Sequence, residues 1–146
     1  MKKSPEETEQ IKAAKIELGR LIKDLHDSPD GKTLSLRKVG QIAGVKAPNL
    51  MHIENGVHAP SPDAYAAIIE FFKPDDDYRK KMDDQFSIIR GTPPPDVCKI
   101  ICANAELNNS LRVLEDQILT KEQIAEVTAL LTTFKIHTTE GAATNG

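Results

Sequence analysis

A chain of 146 residues with a formal charge of −3 fits one domain, or one domain with a smaller appendage, and leaves no room for a large catalytic domain besides. Only 4% of residues are aromatic, tryptophan is absent, and the apolar positions are mostly Leu, Ile, Ala and Val, a mixture that packs as helices, so an all-α fold is expected. No stretch approaches the roughly 18 continuous apolar residues of a membrane span, and no apolar run follows Lys2 and Lys3; a cytoplasmic protein with no membrane partner is expected.

In chain order, Ser4 is placed to cap a first helix, with Pro5 in its first turn and Glu7 completing a capping box. Ile11, Ala14, Leu18, Leu21, Ile22 and Leu25 give that helix one apolar face. "HDSPDGKT" breaks it with proline and glycine. Ser35 then caps a short second helix, "LRKVGQIA", whose Leu36, Val39, Ile42 and Ala43 point inward, and Gly44 ends it. In the third helix Lys46 takes the N-cap region and Ala47 and Pro48 the first turn, where the missing proline N–H has no partner to lose. Val45, Leu50 and Ile53 form its buried stripe, and Gly56 stops it. Lys46, Ala47, Asn49, Met51 and His52 remain on its outer side.

Ser61 and Pro62 open a fourth helix carrying Ala64, Tyr65, Ile68, Ile69 and Phe72, and "PDDDYRKKMDDQFSIIRG" a fifth that ends at Gly91. "TPPP", residues 92–95, reads as a stiff linker. Three further helical stretches follow, with Leu107, Leu111, Leu114 and Ile118 on one stripe and Ile124, Val127, Leu131 and Phe134 on another, the latter behind a capping box of Thr120 and Gln123. Cys98 and Cys102 stand four apart, neither a redox pair nor a zinc framework, and are expected as small buried residues beside Val97 and Ile101. No Gly-rich phosphate loop, metal-spaced His/Cys set or nucleophile elbow occurs. Neither an enzyme, a catalytic residue, a metal nor a cofactor is expected.

Charge is unevenly distributed: from Lys32 to His58 the four cations Lys32, Arg37, Lys38 and Lys46 face one acid, Glu54, while acid dominates beyond Pro74. Such a patch can hold phosphates on a mildly acidic protein, with weak, salt-sensitive steering. Two short helices joined at a glycine, with a polar outer face on the second, are the ingredients of a DNA-reading helix-turn-helix.

The stretch "LSLRKVGQIAGVKAPNLMHIENGVHAPSPDAYAAIIEFF" resembles the Cro/phage-repressor, or XRE, type of helix-turn-helix. The resemblance rests on Leu34, Ser35, Ala43, Gly44, Val45, Ile53, Glu54, Asn55, Gly56, Pro60 and Ser61 in that order, and with "LGRLIKDL" it covers about residues 16–72. It implies a five-helix, lambda-repressor-like DNA-binding domain that sets its third helix in the major groove, commonly as a dimer on an operator. The family's base-reading positions fall here on Lys46, Ala47, Pro48 and His52, with Asn49 beside them. Asn49 suits an adenine edge, His52 a guanine N7 and Ala47 a thymine methyl, whereas Pro48 contributes shape. Ser35, Arg37, Lys38, Asn55 and His58 are the phosphate-contacting candidates.

Departures from the family pattern are visible too. Leu36 stands where a phosphate-touching glutamine is common, and the loop after the first helix is about three residues longer than usual, read as a tolerated insertion, the alternative being a tip that reaches the DNA backbone through Lys32. Glu54 often pairs with an arginine of the first helix; the matching position is His26, expected to face solvent. The domain division expected is 1–91 for the DNA-binding domain, 92–136 for a C-terminal helical region that dimerises, and 137–146 for a disordered tail. The function expected is a sequence-specific transcriptional regulator of double-stranded DNA, a homodimeric repressor, the alternative being an antitoxin or interaction module that holds a toxin or other partner protein.

Overall fold

The computed structural model describes residues 5–28 and 34–144, the last ten of these as backbone alone. Among the described residues the chain is all-helical, with eight α-helices and no strand. Ser4, Lys32 and the rest of the 29–33 loop lie outside them. The chain divides into two compact units, Met1–Lys99 and Ile100–Gly146.

The first unit opens with α1 (Pro5–His26), where Pro5 occupies the turn that needs no proline N–H and Ala14, Leu18, Leu21 and Ile22 are buried at three- and four-residue steps. α2 (Leu36–Ala43) starts at Ser35, whose hydroxyl accepts the Lys38 N–H at 3.1 Å. It stops at Gly44, in the left-handed region at φ 74°, whose N–H returns to the carbonyls of Gln41 and Gly40. A side chain there would carry the Cβ penalty that glycine escapes. After this turn Lys46 is extended and α3 (Ala47–Glu54) begins with Pro48 in its first turn, burying Leu50 and Ile53. Ser61 caps α4 (Pro62–Phe72) through the Ala64 N–H, and Asp75 caps α5 (Asp76–Arg90) through the Tyr78 N–H.

These five helices share one core: Leu18, Leu21 and Ile22 from α1, Ala43 from α2, Ile53 from α3, Ala64, Tyr65 and Ile68 from α4, and Met82 from α5. Each larger apolar side chain among them contributes about 1.5–3 kcal/mol on burial. Two tyrosines fasten α5. The Tyr65 hydroxyl donates to Asp83 at 2.5 Å with its ring stacked on Phe86, and the Tyr78 hydroxyl donates to the Leu21 carbonyl at 2.7 Å. Burial, then the Asp83 carboxylate, holds Tyr65 ionisation well above the usual phenol range, and burial raises Tyr78 as well. Gly19 brings α1 onto the end of α3, because a Cβ there would collide with the carbonyl oxygens of Ile53 and Glu54.

α6 (Pro95–Ala103) crosses from the first unit into the second, which continues with α7 (Ala105–Arg112) and α8 (Lys121–Thr144). The capping box at the start of α8 is reciprocal: Gln123 accepts the Thr120 N–H at 2.9 Å, and the Thr120 hydroxyl accepts the Gln123 N–H at 3.1 Å. α6 and α7 bury no residue, so Cys98 is half-buried and Cys102 exposed in place of the buried pair expected. α8 runs through Thr144, into the segment from 137 expected as a tail. Among the described residues no helix is long and apolar enough to cross a membrane.

Candidate nucleic-acid interface

The α2–turn–α3 segment sorts the proposed base readers by helical geometry. With Leu50 and Ile53 turned into the core, Lys46, Pro48, Asn49 and Met51 are exposed, and Ala47 and His52 are half-buried at the edges of the same outer face. All five expected readers, Lys46, Ala47, Pro48, Asn49 and His52, thus lie on or beside one face of a two-turn helix. Of the phosphate candidates, Ser35, Arg37, Lys38, Asn55 and His58 are exposed. Ser35 is committed to its cap, and Asn55 closes α3 at φ −85°.

His26, expected to face solvent, is instead buried at 6% exposure together with Glu54 at 8%. Its Nδ1 lies 2.7 Å from Glu54 Oε1, and its Nε2 bonds the Leu34 carbonyl oxygen. Both ring nitrogens are thus engaged, one with a carboxylate oxygen and the other with a backbone carbonyl oxygen. The physical reason for the burial is positional. His26 is the last residue of α1, Leu34 precedes α2 and Glu54 ends α3, so one imidazole ties three chain segments that converge behind the outer face.

That pairing changes the electrostatics of the outer face. Between residues 34 and 60 the sequence carries Arg37, Lys38 and Lys46 against Glu54 alone. Glu54 points into the protein and is compensated there, which leaves three exposed cations with no exposed acid in the same segment.

A polar cluster forms at the edge of this outer face of α3. His58 Nδ1 lies 3.1 Å from Asn49 Oδ1, and the His58 and His52 rings approach to 5.0 Å between centroids at 53°. Asn49 precedes His52 by three residues, one turn away on the same face, and His58 reaches both from the loop beyond the helix. Neither contact is visible in the sequence, since nine residues and a chain reversal separate Asn49 from His58. Sequence reasoning assigned His58 to phosphate; the structure gives its Nδ1 an amide partner. Among the described residues no group of three or more His, Cys, Asp or Glu is placed to hold a metal ion. No protein-family model matches the chain, and neither a curated protein nor a solved structure matches it.

Proposed function

We propose that the chain is a sequence-specific regulator of transcription that binds double-stranded DNA as a dimeric repressor, reading the major groove with α3. The observation that carries this reading is the open outer face of α3: Lys46, Pro48, Asn49 and Met51 stand free of the core immediately after a tight glycine turn from α2. A helix about 10–12 Å across enters a groove about 12 Å wide, and this face supplies an amide, an imidazole and an ammonium for base edges. Arg37 and Lys38 supply phosphate charge from α2. The resemblance of residues 34–72 to the XRE type agrees with the same assignment.

The test is selection from a randomised duplex pool by the purified chain, followed by titration on the enriched site. A dyad-symmetric site with half-sites about 34 Å apart, bound between nanomolar and sub-micromolar concentration, is expected. Asn49→Ala then relaxes preference at one base pair per half-site by about 1–3 kcal/mol, and Lys38→Ala weakens every sequence similarly. A pool that yields no enriched sequence refutes the reading.

A second reading, a module that holds a partner protein, is favoured by α8. Its Ile124, Val127, Leu131 and Phe134 recur at steps of three and four residues, all more than half exposed. The same stripe serves a homodimer. A purified chain of twice its mass supports the dimeric repressor, and a stoichiometric co-purifying protein supports the partner-holding module.

A further inference from the structure

We infer that His58 is a positioning residue for base readout: by donating from Nδ1 to Asn49 Oδ1 it fixes the orientation of the Asn49 amide, and it does not act on a phosphate. The inference rests on the reading of α3 as the DNA-recognition helix and names a specificity-determining residue outside that helix.

The place of His58 is built by the backbone. Gly56 follows α3 at φ 75°, and a Cβ there would meet the Ile16 backbone of α1 at 2.6 Å, so the exit loop lies flat against α1 only with glycine at this point. The N–H groups of Val57 and His58 both return to the His52 carbonyl, at 2.8 and 3.2 Å, and Pro60 is buried beyond them. The loop is therefore bound to the last turn of the helix it serves. His58 then has two neighbours on α3, the Asn49 amide at 3.1 Å and the His52 ring at 5.0 Å.

Hydrogen-bond chemistry gives the contact a direction. An amide oxygen only accepts, so His58 is the donor through Nδ1–H. A free asparagine on a helix surface can present either end of its amide outward and loses readout whenever it is turned the wrong way. With one lone pair of Oδ1 held by His58, the other lone pair and the Nδ2 hydrogens are left for a ligand. One acceptor and one donor side by side are what the N6 and N7 edge of adenine requires. A base-reading side chain held in its reading orientation loses less rotamer entropy on binding. The loop histidine thus improves discrimination without touching the DNA itself.

Four variants separate positioning from phosphate contact: His58→Ala, His58→Asn, whose amide nitrogen takes the place of Nδ1, Asn49→Ala, and the double variant His58→Ala with Asn49→Ala. Wild-type and variant chains are titrated on the site selected by the wild type, on that site with each base pair replaced, and at several salt concentrations. His58→Ala is expected to lose about tenfold in preference at the one base pair per half-site that Asn49→Ala also relaxes. Its affinity for random duplex and its salt slope stay at wild-type values, the double variant loses no more than Asn49→Ala, and His58→Asn recovers the preference. In the DNA-free protein, the Asn49 side-chain amide resonances shift in His58→Ala and return toward wild type in His58→Asn. Equal losses on all sequences with a salt slope flatter by about one would make His58 a phosphate contact and overturn the inference. Unchanged preference in His58→Ala overturns it as well. Failure of the wild type to select any site refutes the DNA-reading assignment itself, an outcome distinct from the other two.

Discussion

Removing either partner of the His26–Glu54 pair tests the anchor behind α3. Both side chains are almost wholly enclosed, at 7% and 5% exposure, and lie 2.7 Å apart. His26→Ala strands the Glu54 carboxylate without its partner and also frees the Leu34 carbonyl. Breaking a buried pair in this way costs about 3–5 kcal/mol. Against a total stability of about 5–15 kcal/mol, that is a large fraction, and for a unit of this size it lowers Tm by more than about 12 °C. Glu54→Ala is expected to fall in the same range for the mirror reason. The double replacement His26→Leu with Glu54→Met removes both polar partners and fills much of their volume. Its remaining cost is the unpaired Leu34 carbonyl, about 1–3 kcal/mol, so the double variant is expected to be more stable than either alanine variant. Urea unfolding followed by circular dichroism measures all three. Alanine variants that each lose less than about 1 kcal/mol, with additive effects when combined, would show a solvent-screened contact and refute the reasoning.

Gly19→Ala tests the backbone contact of α1 with α3: alanine in an open helical position gains about 1 kcal/mol over glycine, whereas a Cβ pressed on two carbonyl oxygens costs about 1–3 kcal/mol and is expected to reverse the sign of the change in the urea midpoint. Tyr65→Phe addresses alkaline stability. A phenol whose ionisation is raised by folding holds its proton more tightly folded than unfolded, so its contribution is complete below about pH 10 and lost as pH rises beyond it. The variant is expected to lose about 1 kcal/mol at neutral pH with the Asp83 bond and to show a shallower fall above pH 10, read from urea midpoints across that range, Tyr78 supplying the remainder. Leu131→Asp places a charge in the exposed stripe of α8 and is expected to convert a dimer to a monomer in light scattering while leaving the far-ultraviolet spectrum of the chain unchanged. On duplex DNA, three exposed cations per copy from α2 and α3 set a slope of log affinity against log salt no steeper than about −5 for a dimer, and a slope near −10 would place further cations in the interface.

The parts of the fold that were legible are those specified locally. Ser35, Ser61 and the Thr120–Gln123 box each act within three residues of themselves, so their chemistry is written in the sequence and recurs in the hydrogen bonds. The outer face of α3 was legible for a related reason: once Leu50 and Ile53 are assigned inward, helical periodicity turns Met51 and His52 away from them. His26 was misread because its partners are 8 and 28 residues away, and a histidine in the last turn of a helix carries no local sign of burial. The cysteines were misread for the opposite reason. Their spacing does place them on one helix face, but burial also requires a neighbour for that face, and spacing says nothing of neighbours.

Net charge illustrates the same distinction between local and tertiary information. A formal charge of −3 argues against a nucleic-acid ligand when it is spread evenly over a chain, and Glu54 reduces the segment 34–60 to a net of two cations on paper. Folding withdraws Glu54 from that sum by bonding it to His26 beneath the surface. The exposed cations number three, and the acid-rich second half of the chain weakens their reach beyond a Debye length of about 8 Å. Long-range attraction of this size cannot by itself hold a duplex tightly. If the chain reads DNA as proposed, the greater part of its affinity for a chosen site comes from contacts made at hydrogen-bond distance, and these depend on how firmly the outward side chains of α3 are held. His26 fixes the end of α3 from within, and the exit loop bonds its last turn from without, both without spending any group on the outer face itself. On the proposed DNA-reading function, this rigidity is the source of selectivity that three exposed cations between residues 34 and 60 would not give by charge alone.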